Sequence, residues 1–157
     1  QKLHEAGYDG LTIGIETGDD EALAFMNKGY KASDIVAQCK RLDKAGIHYS
    51  FFYLTSISGA GRGEIGAKAT ADSELYQEIL HGNWKEESEI EKYKEIRTLV
   101  ANLEIPTIFG ALGASNAFQL QGELPKDKKK LLSILDEIID TVSEDELKKY
   151  RDSVYHL

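Results

Sequence analysis

Two charged residues near the start of the chain, Glu16 and Lys28, are of types that can bind charged ligands. Glu16 follows the apolar residues 11–15, and a carboxylate at a strand end can pair with an amine or accept hydrogen bonds from hydroxyls. Lys28 precedes a glycine and offers a positive point charge. Each also has an ordinary structural interpretation. Glu16 could be a cap or a solvated acid ahead of the next helix, and Lys28 a cation favoured by a helix C-terminus.

A loop of small residues, 55–63, is a second candidate site. It follows the apolar stretch 47–54, and α/β folds bind ligands at the carboxyl ends of their strands. Residues 61–66 also match the Gly-x-Gly-x-x-Gly pattern of dinucleotide sites. A Rossmann unit requires a second strand and an acidic residue about 20 residues further on, where this chain has a polar, helical stretch. A loop over the mouth of a barrel is therefore the better interpretation.

The elements that position these residues follow a strand, helix, strand order. Residues 11–15 predict a buried strand, and residues 47–54, rich in β-branched and aromatic side chains, predict a second one. Between them, Ser33 as N-cap and Gly46 after the last turn predict the limits of a helix. This order is typical of a parallel sheet with a crossover helix.

The C-terminal half predicts helices and one further strand. Residues 107–112 are suited to that strand, and residues 113–123 predict a polar connection. Two capping boxes mark helix starts: Ser88 with Glu91, and Ser143 with Glu146. Near residues 72–73 two helical pieces adjoin with no strand between them. Either the architecture changes there, or a segment of the native protein is missing from the sequence.

The composition limits the possible functions. The net charge is −8 without a basic stripe, which gives nucleic-acid binding no electrostatic support. The single cysteine, Cys39, excludes an intrachain disulfide and a multi-cysteine cluster site. No apolar run approaches the roughly 20 residues that span a bilayer. We therefore expect a soluble, cytoplasmic protein with no membrane or nucleic-acid partner.

Several short motifs follow one another in a characteristic order along the chain. Residues 13–18 read Ile-Gly-Ile-Glu-Thr-Gly, residues 26–29 Met-Asn-Lys-Gly, and residues 44–46 Lys-Ala-Gly. Later, residues 73–76 read Ser-Glu-Leu-Tyr and residues 122–128 Gly-Glu-Leu-Pro-Lys-Asp-Lys. This order resembles that of radical S-adenosylmethionine (SAM) enzymes, and the sequence is similar to the branch that contains methylthiotransferases, Elongator-type proteins and oxygen-independent coproporphyrinogen oxidases.

This resemblance implies an α/β fold, a partial (β/α) barrel fragment with a C-terminal helical extension. Residues 1–112 correspond to the C-terminal part of the barrel, with 11–15 and 47–54 as its fourth and fifth strands. Residues 113–157 correspond to a helical tail outside the barrel.

The resemblance also implies a set of SAM-binding residues. Glu16 matches the polar residue that projects toward SAM from the fourth strand, and Lys28 matches the cation that faces the SAM carboxylate. The full implied set is Glu16, Thr17, Lys28, Ser56 and Gly59.

The family's cluster motif, Cys-x-x-x-Cys-x-x-Cys, is absent from the chain. The [4Fe-4S] cluster and the electron donor of the full-length enzyme must then come from elsewhere, because reductive cleavage of SAM requires the cluster. The implied activity is oxidoreductase-like radical chemistry on a small molecule. Two other functions stay open: a non-catalytic α/β interaction or regulatory module, and a dinucleotide-dependent oxidoreductase.

Overall fold

A computed structural model describes residues 2–8, 10–56 and 85–154. These ranges contain six helices and two sheets of two strands each. In chain order the elements are α1 (Lys2–Glu5), β1 (Gly10–Glu16), α2 (Asp20–Phe25), α3 (Ala32–Ala45), β2 (His48–Tyr53), α4 (Glu89–Asn102), β3 (Thr107–Ala111), β4 (Leu120–Leu124), α5 (Lys128–Thr141) and α6 (Glu144–Asp152).

The predicted strand, helix, strand unit is confirmed. Strand β1 pairs in parallel with β2, from Gly10 opposite His48 onward, and α2 and α3 lie between them in the chain. Gly46 ends α3 with a φ of 68°, the left-handed conformation that glycine adopts without strain.

The start of α3 differs from the prediction. The helix begins at Ala32 with Lys31 as N-cap, two residues before the predicted cap Ser33. Two carboxylates explain the earlier start, because Asp34 accepts the Lys31 N–H (2.9 Å) and Asp20 accepts the Ala32 N–H (2.7 Å). These bonds satisfy N–H groups that have no partner within the helix.

The fold is a mixed α/β arrangement. The strands of the described ranges form two separate pairs and do not close into a barrel. A partial barrel stays a prediction, as do the limits 1–112 and 113–157. No helix in the described part of the chain is long and apolar enough to cross a bilayer.

The largest core lies in the C-terminal half, where α4, α5, α6 and the hairpin of β3 and β4 pack together. Its buried side chains are Tyr93, Ile96, Val100, Phe109, Leu120, Leu124, Leu131, Leu135, Ile138 and Leu147. Both predicted capping boxes are confirmed and begin α4 and α6. Local caps and this shared apolar core thus fix the helical part of the molecule.

The predicted strand at 107–112 is confirmed as β3, but the prediction of a polar connection over 113–123 is wrong at its end. Residues 120–124 form β4, which pairs antiparallel with β3 from Thr107 opposite Leu124 to Ala111 opposite Leu120. Leu120 and Leu124 are buried, whereas Gly122 faces α5. A Cβ at Gly122 would lie 3.0 Å from a Leu131 methyl carbon, so glycine allows α5 to approach the strand closely.

The capping box of α4 predicts an acid-sensitive contribution to stability. Hydrogen bonds from the Ser88 backbone and side chain hold the pKa of Glu91 below its ordinary value of 4.5. A carboxyl group whose pKa is lower in the folded state than in the unfolded state stabilises the fold at pH values above the unfolded-state pKa. This contribution is lost as the pH falls through the folded-state pKa. We expect Glu91→Gln to cost less than about 1 kcal/mol at pH 7 and to reduce the acid-induced loss of stability.

Urea unfolding of the wild type and Glu91→Gln between neutral and acid pH measures this effect. Glu137→Gln, which changes an exposed glutamate of α5 outside both capping boxes, is the control. If the free energy of unfolding had the same pH profile in the wild type and in Glu91→Gln, the capping box would not be the source of the acid-sensitive stability.

Candidate functional site

Glu16 lies at an irregular end of β1. The register with β2 shifts between Gly14 and Glu16, and the Thr17 N–H donates to the Ile15 carbonyl at 2.7 Å, which closes a tight turn around Glu16. Glu16 has a φ of 61°, a conformation that residues other than glycine rarely adopt. Such backbone irregularities are enriched beside functional sites.

Gly14 makes room for the carboxylate of Glu16. A Cβ at Gly14 would lie 2.9 Å from Glu16 Oε1, so the glutamate side chain folds back over the glycine. The Tyr30 hydroxyl donates to the Gly14 carbonyl at 3.2 Å on the same segment. The glycine in the sequence Ile-Gly-Ile-Glu, residues 13–16, therefore leaves the space that the Glu16 carboxylate occupies.

Helix α2 carries the chain from β1 to Lys28. The Thr17 hydroxyl accepts the Asp19 N–H at 2.8 Å, and the Asp19 carboxylate caps the helix by accepting the Glu21 N–H at 2.9 Å. At the other end Asn27 takes a φ of 53°, and the Lys28 N–H donates to the Leu23 carbonyl at 3.0 Å. This is a Schellman ending, in which asparagine replaces the usual glycine. It fixes the direction in which the chain leaves the helix at Lys28.

Glu16 and Lys28 meet as an ion pair. Lys28 Nζ lies 3.0 Å from Glu16 Oε1, and the two side chains are 32% and 16% exposed. A solute can therefore reach both groups, while their partial burial reduces screening by water. The pair presents a negative and a positive charge side by side, an arrangement that complements the ammonium and carboxylate of an amino acid.

The end of β2 is held by a buried carboxylate. The Tyr53 hydroxyl donates to Glu95 Oε1 at 2.7 Å, and the Ser56 N–H donates to Glu95 Oε2 at 2.9 Å. The Ser56 hydroxyl accepts the Glu87 N–H at 3.2 Å, and Ser56 has a φ of 72°. A residue with positive φ thus occurs at the last residue of β1, Glu16, and three residues after the end of β2, at Ser56.

The buried polar residues of the described ranges are concentrated around this edge. They are Thr17, Ser56, Glu87 and Glu95. Two of them follow the parallel strands, and the other two bond to Ser56. Burying polar groups is costly unless they are hydrogen-bonded. The buried polar residues at this edge therefore indicate that hydrogen bonds hold the edge of the sheet in one geometry.

The structure brings together part of the predicted set. Glu16 and Lys28 are in contact, whereas Thr17 and Ser56 are 0% and 2% exposed and direct their hydroxyls into internal hydrogen bonds. Gly59 lies outside the described residues, as does the Gly-x-Gly-x-x-Gly stretch at 61–66. The SAM-binding roles of all five residues stay predictions.

Two members of the site were not predicted from the sequence: Tyr53 and Glu95. Tyr53 lies within the predicted strand 47–54, and nothing in the sequence indicates its bond to Glu95. Glu95 lies in a helix with charged residues at most of its solvent-facing positions, and nothing in the sequence distinguishes it from them.

The single cysteine offers no reactive centre at this edge. Burial, followed by the nearby Asp43 charge, raises the pKa of the Cys39 thiol on α3, which disfavours the nucleophilic thiolate. Among the described residues no group of three or more His, Cys, Asp or Glu could hold a metal ion. The candidate site therefore consists of the charged and hydrogen-bonded groups at the carboxyl ends of β1 and β2.

Comparison of the chain with protein-family models, curated proteins and solved structures gave no match. The resemblance to radical SAM enzymes therefore rests on the residues and motifs of this sequence and stays a prediction.

Proposed function

We propose that the chain is part of a radical SAM enzyme, to which it contributes a SAM-binding wall. In this proposal β1 and β2 are neighbouring strands of a partial (β/α) barrel, and their carboxyl ends face the cofactor. The enzyme is cytoplasmic and carries out oxidoreductase-like chemistry on a small-molecule substrate.

The observation that carries the proposal is the contact between Glu16 and Lys28. The amino acid end of SAM bears an ammonium and a carboxylate on one carbon. Glu16 can accept hydrogen bonds from the ammonium, and Lys28 can donate to the carboxylate. The two side chains form an ion pair at 3.0 Å. Binding of a zwitterion replaces this ion pair by two charge-assisted contacts.

The location of the pair also supports the proposal. It lies at the carboxyl ends of parallel strands, the edge where barrels and open α/β sheets bind their ligands. The positive φ values of Glu16 and Ser56 occur at the same edge. Residues held in such conformations cluster at functional sites.

The electron source lies outside this chain in the proposal, because the chain has one cysteine and a [4Fe-4S] cluster of this family requires three. SAM together with such a cluster supplies radical abstraction of a substrate hydrogen. The residues of this chain bind and orient the amino acid end. The full-length enzyme also requires an electron donor as a partner.

Calorimetric titration of the full-length protein with SAM tests the proposal. We expect a dissociation constant on the order of micromolar, about 8 kcal/mol of binding free energy. No detectable binding would contradict the proposal and favour a non-catalytic module. Tighter binding of NAD than of SAM would contradict it in favour of a dinucleotide enzyme. A full-length sequence without Cys-x-x-x-Cys-x-x-Cys would overturn it as well.

A further inference from the structure

Glu95 is buried on a side of α4 that does not face the helical core. It lies two residues after Tyr93, about 200° around the helix axis from that core residue. Its side chain reaches the end of β2 and is bonded there to Tyr53 and Ser56. Helix α4 is thus buried on two sides, by the C-terminal core and by the end of the parallel pair.

The carboxylate of Glu95 uses both oxygens at the end of β2. Oε1 accepts the Tyr53 hydroxyl at 2.7 Å and Oε2 accepts the Ser56 N–H at 2.9 Å, and the residue is 1% exposed. A buried carboxylate is tolerated only where strong hydrogen bonds compensate for lost hydration. The bond to the Ser56 N–H also holds a residue whose φ of 72° is unfavourable for serine.

A short hydrogen-bonded path connects Glu95 to Glu16. Tyr53 is the register partner of Glu16, and the next residue, Leu54, donates its N–H to the Glu16 carbonyl at 3.0 Å. Glu95 bonds to Tyr53, directly before Leu54, and to Ser56, two residues after it. The backbone position of Glu16 therefore depends on a segment that Glu95 fixes.

We infer that Glu95 is a positioning residue for the ligand site at Glu16 and Lys28. This inference rests on the proposed function and extends it, because it makes a residue of the C-terminal helical half part of the binding site. Glu95 acts through Tyr53 and Ser56, which place the end of β2 and, through Leu54, the backbone of Glu16. It need not contact the ligand.

Three variants of the full-length protein, titrated with SAM, test the role of Glu95. Glu95→Ala removes both acceptors and should weaken SAM binding about tenfold. Leu135→Ala lowers the melting temperature from a site in the helical core and should leave the affinity unchanged. Glu95→Gln retains an acceptor for the Ser56 N–H and can donate to the Tyr53 oxygen, so its affinity should stay within about threefold of the wild type.

The titrations are made below the melting temperature of every variant, so loss of folding does not imitate loss of affinity. Wild-type affinity in Glu95→Ala would overturn the inference while leaving the proposed function intact. An equal loss of affinity in Leu135→Ala would overturn it too, since the effect would then follow stability alone. If Glu95→Gln bound SAM as weakly as Glu95→Ala, the positioning role would be overturned, because the negative charge of Glu95 and not its hydrogen-bonding geometry would then be responsible. Failure of the wild type to bind SAM would refute the proposed function itself.

Discussion

Glu16→Gln is expected to lower the affinity of the full-length protein for SAM by about 10- to 100-fold. The substitution keeps the size of the side chain but removes the negative charge that would pair with the SAM ammonium. Hydrogen bonds to charged groups contribute about 1.5–3 kcal/mol, which corresponds to this range of affinity. Because the Glu16 side chain is 16% exposed, little water can replace the lost interaction. Calorimetry gives the affinity directly.

A charge exchange provides the matched control for this prediction. The double variant Glu16→Lys with Lys28→Glu restores an ion pair at the same two positions and should fold with near wild-type stability. It presents the charges in the reversed order and should bind SAM as weakly as Glu16→Gln. If the exchanged variant recovered wild-type affinity, or if Glu16→Gln kept it, the pair would have only a structural role.

Leu135→Ala is expected to reduce the free energy of unfolding by about 2–5 kcal/mol. Leu135 is fully buried on α5 within the helical core, so its truncation leaves a cavity in that core. Losses of this size are large compared with the total stability of a small domain, about 5–15 kcal/mol.

Leu112→Ala makes the same chemical change at a residue that is 51% exposed and serves as its control. Urea unfolding should show a change within about 0.5 kcal/mol for that variant. Equal effects of the two substitutions would contradict the described core.

Local sequence signals predicted most of the elements. Capping boxes located the starts of α4 and α6, because the serine and glutamate side chains satisfy backbone N–H groups within one turn. Gly46 located the end of α3 for a similar local reason. The apolar composition of residues 11–15 and 47–54 predicted two strands, and the helix predicted between them indicated their parallel pairing.

Strand β4 was missed because its stability is not local. Its sequence, Leu-Gln-Gly-Glu-Leu, contains a glycine and two polar residues and has low strand propensity. The strand forms because pairing with β3 satisfies its backbone and because Leu120 and Leu124 alternate into the core beneath α5. That alternation was the available signal, but five residues are too few to separate it from a loop.

The charged half of the candidate site was predictable and the buried half was not. Glu16 and Lys28 were selected because their motifs resemble those of radical SAM enzymes, but their contact depends on the Schellman ending at Asn27, which turns the chain back toward β1. Glu95 was not selected because the apolar stripe of α4 places it on the solvent side of the helix. Only the packing of β2 against that side reveals why the carboxylate is buried.

The most direct test of the account compares two ligands that differ only in the amino acid end. S-adenosylhomocysteine and 5′-methylthioadenosine share the nucleoside and the thioether sulfur, and only the first carries the ammonium and carboxylate that Glu16 and Lys28 would bind. In calorimetric titrations of the full-length protein, we predict that S-adenosylhomocysteine binds at least about tenfold more tightly. Equal affinities, or no binding of either ligand, would contradict the assignment of this edge to the amino acid end of SAM.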